Sequence, residues 1–126
     1  MSRPVLVVED NMRNRKLLRK ILRFRGLEVI ECDDGATALE LAKRHQPLLV
    51  LMDIELPTVD GISALRNLRG DPQTRAIPVV AVTASVTPGA RDRVMAAGFD
   101  AYVAKPIDVE AFGRLIDKFI GEAPAT

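Results

Sequence analysis

Leu48-Leu49-Val50-Leu51-Met52-Asp53-Ile54-Glu55-Leu56-Pro57 is the stretch that decides the fold class. Residues 48–52 are aliphatic without a break, as expected of a parallel strand covered on both faces, and the run ends on an acid. The same pattern recurs on both sides of it. Residues 5–8 are followed by Glu9-Asp10, residues 79–82 by Thr83, and residues 101–104 by Lys105-Pro106. A fifth run, 27–32, mixes polar and apolar residues and suits a sheet edge. Longer amphipathic stretches at 11–25, 34–44, 61–68, 88–97 and 109–120 separate the runs and read as helices. Thr87-Pro88 reads as an N-cap with a first-turn proline, Asp108 as the cap of the last helix, and Gly26 and Gly98 as left-handed helix ends. Five strands alternating with five helices predict a doubly wound parallel sheet, an α/β fold with helices on both faces.

The whole chain bounds what this fold can do. At 126 residues it is one domain, long enough to hide about two-thirds of its unfolded surface without staples. Apolar residues at 48% and charged residues at 28% exclude a disordered chain. Cys32, the only cysteine, excludes an internal disulfide, and no Cys/His cluster offers a zinc site. The N-terminal apolar run of residues 5–8 is too short for a signal peptide or a membrane span. A cytoplasmic domain over residues 1–121 with a short unstructured tail at 122–126 is expected. Net charge is +1, but residues 1–25 hold eight cations and two acids, against ten and fifteen in the rest. That patchiness does not amount to a nucleic-acid-binding composition.

Carboxyl ends of parallel strands share one edge of the sheet, and a functional cleft belongs there. Glu9, Asp10, Asp53, Thr83 and Lys105 should therefore converge. Three crowded carboxylates repel one another, and a hard divalent cation such as Mg²⁺ relieves that repulsion with oxygen ligands. Lys105 adds a positive charge and Thr83 a hydroxyl for a phosphoryl oxygen. The chemistry this set suits is phosphoryl transfer to a carboxylate, with Asp53 as nucleophile because it ends a central strand.

With Glu9-Asp10, Asp53 in Leu51-Met52-Asp53-Ile54-Glu55-Leu56-Pro57, Asp60-Gly61, Thr83-Ala84 and Lys105-Pro106 in this order, the sequence resembles the receiver domain of two-component response regulators over essentially its whole length. The resemblance implies a CheY-like, flavodoxin-like sheet of strand order 2-1-3-4-5 in a single-domain regulator. It implies Asp53 as phosphoacceptor, Asp10 as direct Mg²⁺ ligand, Glu9 acting through water and the backbone carbonyl of Glu55 completing the protein ligands. Lys105 would bind the phosphoryl group, with a cis bond to Pro106, and Thr83 and Tyr102 would form the switch pair. Ala84 would leave the phosphate accessible, and Glu55 with Ser85 would tune the rate of its loss. Such a domain has only weak self-phosphorylating and self-dephosphorylating chemistry and is not a turnover enzyme. Its donor would be a sensor histidine kinase or histidine phosphotransfer protein, docking on Asn11, Met12, Asn14, Leu17, Pro106 and Ile107. The downstream target would be another protein, neither nucleic acid nor membrane, and the chain itself a monomer or weak dimer.

On a helical wheel of the first helix, Leu17, Leu18, Ile21 and Leu22 cluster inward, and Arg13, Arg15, Lys16, Arg19, Lys20 and Arg23 cover the outer face. The expectation is donor docking at its start and plain solvation of most of the rest. Cys32 and His45 read as structural. Two rival readings remain open at this point. A haloacid-dehalogenase-like phosphohydrolase would use Asp53-Ile54-Glu55 as its acid loop, although that loop belongs after a first strand. A flavodoxin-like nucleotide binder would need a hydroxyl- or glycine-rich cradle where Glu9-Asp10-Asn11 stands.

Overall fold

The computed structural model of the chain describes residues 3–56, 59–84 and 88–120. In chain order it forms β1 (Val5–Val8), α1 (Met12–Phe24), β2 (Val29–Cys32), α2 (Gly35–His45), β3 (Leu49–Asp53), α3 (Gly61–Arg69), β4 (Val79–Thr83), α4 (Ala90–Ala96), β5 (Ala101–Ala104) and α5 (Val109–Phe119). The strands pair in parallel in the order β2-β1-β3-β4-β5. The three central strands are fully buried, whereas edge strands β2 and β5 are mostly half-buried. This is why the apolar runs are continuous in the middle and mixed in β2.

Strand residues alternate between two cores. Leu6, Val8, Val50, Met52, Val79 and Ala81 pack with Ala38, Ala42, Ala64, Leu65, Leu68 and Val94 from α2, α3 and α4. Val5, Val7, Leu49, Leu51, Val80 and Val82 pack with Leu18, Ile21, Leu22, Phe112 and Ile116 from α1 and α5. On α5 the inward stripe is Phe112 and Ile116, with Leu115, Phe119 and Ile120 at its margin.

The helix ends follow local chemistry. Asn11, Asp34, Asp60 and Asp108 each accept a hydrogen bond from the backbone N–H three residues on, satisfying a first-turn donor. Gly26 and Gly98 take the left-handed conformation expected of them, at φ +78° and +112°. The start of α4 differs from expectation. Thr87 lies outside the described residues, Pro88 sits in a turn, and Gly89 at φ +81° caps the helix with no side-chain bond. A left-handed residue breaks the right-handed run, so Pro88 cannot open the helix and α4 begins at Ala90. The expected tail at 122–126 also lies outside the described residues. No helix among the described residues is long and apolar enough to cross a membrane.

Candidate functional site

The carboxyl ends of β1, β3 and β5 bring their charged residues together. Side-chain oxygens of Glu9, Asp10 and Asp53 lie within 4.8 Å of one another. Lys105 Nζ stands 3.0 Å from Glu9 Oε1 and 3.1 Å from Asp53 Oδ2. Glu9 is 1% exposed and Asp53 3%, so two of the three carboxylates are withdrawn from water while Asp10 remains exposed.

Each acid is held by backbone geometry. Asp53 is the last residue of β3, and its Oδ1 accepts the Glu55 N–H at 2.9 Å. The chain then folds back, with the Gly61 N–H donating to Ile54 O at 2.9 Å. Gly61 approaches the strand so closely that a Cβ there would lie 2.4 Å from Asp53 O and 2.7 Å from Ile54 Cα. Only glycine fits this approach without moving the backbone that carries Asp53. Glu9 extends the β1–β2 ladder by donating its N–H to Cys32 O at 3.0 Å, and its Oε2 accepts the Asn11 N–H at 3.1 Å.

Burial lifts the Glu9 carboxyl above its ordinary value; Lys105 and the Asn11 amide pull against this, and the Asp53 charge adds to it. Burial likewise opposes the Lys105 ammonium, but Glu9 and Asp53 outweigh it and hold this lysine above its ordinary value. Glu9 Oε1 faces the ammonium at 3.0 Å yet accepts no aligned hydrogen bond. A buried oxygen in that condition is costly unless another group engages it. Three clustered oxygen donors, one of them so placed, fit a hard divalent cation such as Mg²⁺, which one lysine replaces only in part. Glu9, Asp10 and Asp53 are the residues that would hold it.

The other predicted residues divide into near and far. Thr83 is buried at the end of β4, and its carbonyl accepts the Lys105 N–H at 2.9 Å. Tyr102 is half-buried against the α2–α3–α4 core and borders a groove of about 400 Å³ with Pro106 and Leu115. The Lys105–Pro106 bond is cis, as expected. Ala84 and Glu55 are exposed; the Glu55 side chain is not part of the acid cluster, and Ser85 lies outside the described residues. Of the expected docking residues, Asn11, Met12 and Pro106 are exposed, Met12 at 62%. Asn14 is half-buried, while Leu17 and Ile107 are partly committed to the α1–α5 core. The Cys32 thiol is pushed up to about 11 by burial, which disfavours the reactive thiolate. His45 ends α2 on the surface.

The basic outer face of α1 requires correction. Arg15 and Arg19 are not simply solvated: Arg19 makes a two-pronged contact with Glu31, and Arg15 Nε lies 3.4 Å from Glu31 Oε1. Glu31 is consequently held below the ordinary carboxylate range, first by the Arg19 hydrogen bond. Sequence reasoning missed this pairing because the acid stands on β2, another element. Its signal was an acid within the fifth apolar run.

Comparison with known proteins agrees with this geometry. The family model described as the response regulator receiver domain matches residues 5–117. The polar-differentiation response regulator DivK of Brucella ovis is 42% identical over 123 residues, covering 98% of this chain and all of that protein. DivK of Brucella melitensis matches to the same extent. Among solved structures, the receiver domain of the sensor histidine kinase PA1611 from Pseudomonas aeruginosa is 34% identical with a TM-score of 0.87, covering 97% of this chain and all of that one. That structure carries a magnesium ion coordinated in its active-site cleft. The chemotaxis protein CheY4 of Vibrio cholerae, 23% identical with a TM-score of 0.85 over 94% of this chain and 99% of its own, shares the fold.

Proposed function

Since the chain belongs to the response regulator receiver family, a family of phosphorylation switches and not of turnover enzymes, we propose that it accepts a phosphoryl group on Asp53 from a phosphohistidine partner and thereby changes its protein-binding face. The observation that carries this is the meeting of Glu9, Asp10 and Asp53 around Lys105 at one edge of the sheet. An Asp53 carboxylate oxygen attacks phosphorus, the O–P bond of an acyl phosphate forms, the N–P bond of the phosphohistidine breaks, and the imidazole leaves with its electron pair. A bound Mg²⁺ supplies Lewis-acid neutralisation of the phosphoryl charge.

The remaining work falls to the side chains. The Glu55 amide, donating to Asp53 Oδ1, orients the nucleophile. Lys105, already between Glu9 and Asp53, turns its ammonium to the phosphoryl oxygens, and the backbone carbonyl of Glu55 would complete the protein ligands of Mg²⁺. Thr83 donates its hydroxyl to the phosphoryl group and Tyr102 moves into the space this vacates, a local charge event biasing a two-state element. Ala84, exposed and small, leaves the site open to the donor, and Glu55 with Ser85 sets how fast the phosphate is lost. The donor is a sensor histidine kinase or histidine phosphotransfer protein meeting Asn11, Met12, Asn14, Leu17, Pro106 and Ile107. The output is contact with another protein through α4, β5 and α5, by a monomer or weak dimer in the cytoplasm.

The test is intact-mass spectrometry after incubation with acetyl phosphate and Mg²⁺. Wild type should gain the mass of one phosphoryl group and Asp53→Asn none. A wild type that gains nothing, or a mutant that gains as much, refutes the assignment.

A further inference from the structure

Glu9 is gripped at both polar points of its main chain, and one of those grips comes from a side chain, that of Arg15. Arg15 Nη1 donates to Glu9 O at 2.9 Å. The Glu9 N–H is tied to Cys32 O, and its Oε2 to the Asn11 N–H. From these contacts we infer that Arg15 is a positioning residue for Mg²⁺: it locks the backbone between Glu9 and Asp10 so that their oxygens stand where the cation needs them. The inference rests on the metal reading given above and adds a residue to it.

The placement of Arg15 argues for a task other than surface charge. It lies near the start of α1, whose first turn carries no acid. A cation there meets the positive end of the helix dipole, which disfavours it. Its side chain is only 19% exposed, so part of the guanidinium is also withdrawn from water. Both costs are offset by two acceptors, Glu9 O and Glu31. The backbone of Glu31 is itself placed by the β1–β2 register, opposite Val7. The result is a strut running from the edge strand through Arg15 to the carbonyl of Glu9. A planar guanidinium with several donors can serve both acceptors at once, which an ammonium cannot do in the same geometry. Residues that orient metal ligands typically change metal affinity about 10–100-fold when removed.

Arg19 provides the internal control, because it holds the same Glu31 while the side-chain hydrogen bond to Glu9 O comes from Arg15. The experiment is calorimetric titration of Mg²⁺ into the full chain for wild type, Arg15→Ala, Arg15→Lys and Arg19→Ala, each with its thermal midpoint. Amide exchange at Asn11 is followed alongside in the metal-free proteins. Arg15→Ala should weaken Mg²⁺ binding about tenfold or more and speed Asn11 exchange, and Arg15→Lys should recover part of both. Arg19→Ala should lower the thermal midpoint and leave Mg²⁺ affinity within about twofold. Arg15→Ala and Arg15→Lys that bind Mg²⁺ like wild type, or Arg19→Ala that loses affinity as Arg15→Ala does, would overturn the inference while leaving the metal site standing. A wild type that binds no Mg²⁺ overturns both.

Discussion

Lys105 Nζ lies 3.1 Å from Asp53 Oδ2, a contact between residues 52 positions apart that joins the ends of a central and an edge strand. The same ammonium reaches Glu9, so one cation serves two carboxylates that are almost fully buried. Removing it strands both. Lys105→Met should therefore cost about 2–4 kcal/mol in urea unfolding at pH 7 without metal. Saturating Mg²⁺ should return a large part of the loss, and so should lowering the pH toward the carboxylate range.

Glu9→Gln should have the opposite sign. Burial raises the Glu9 carboxyl above its ordinary value of 4.5, so the folded protein binds this proton more tightly than the unfolded chain does. Its contribution favours folding at low pH and is lost as pH rises from about 4.5 through the raised folded value. At pH 7 the metal-free variant should melt about 2–5 °C above wild type. Addition of Mg²⁺ should reverse the ranking, which scanning calorimetry with and without the ion will read directly.

Glu31 titrates the other way. Its folded value is depressed, first by the hydrogen bond from Arg19, so its contribution is present above its ordinary value of 4.5 and is lost as pH falls through the depressed one. Glu31→Gln should cost about 1 kcal/mol at pH 7, and the gap to wild type should close as the pH is taken below that window. A gap that stays constant in acid would contradict the ion-pair account.

Two glycines separate close approach from mere flexibility. Gly61→Ala places a methyl 2.4 Å from Asp53 O, against backbone that cannot swing aside, and should destabilise by about 2 kcal/mol or more. Gly70 ends α3 at φ −79° with its nearest neighbour at 3.3 Å, so Gly70→Ala should stay within about 0.5 kcal/mol of wild type. Phosphorylation by acetyl phosphate should fail only in the former, because only there does the backbone of Asp53 move.

Much of this was legible in the chain because parallel strands covered on both faces leave a plain mark. The unbroken run 48–52 and its terminal acid were enough to place Asp53 at a strand end, and the matching runs at 5–8, 79–82 and 101–104 placed Glu9, Thr83 and Lys105 beside it. The start of α4 was not legible: Thr87-Pro88 looks like a helix opening until Gly89 takes a positive φ. Nor was the role of Arg15. A wheel drawn for α1 alone puts it on the outside, and only the register of β1 against β2 brings Glu31 across to meet it.

The alternation along the strands also separates two audiences. Glu9, Asp53 and Lys105 continue the positions of Val7, Leu51 and Val103, which look toward α1 and α5, whereas Thr83 and Tyr102 continue the row of Ala81 toward α4. A change at Asp53 on the α1–α5 side can therefore reach the α4 side only through residues at the strand ends, where Asp53 and Thr83 stand on neighbouring strands. Substitutions on the α4 side can thus change that surface while leaving in place the side chains gathered around Lys105.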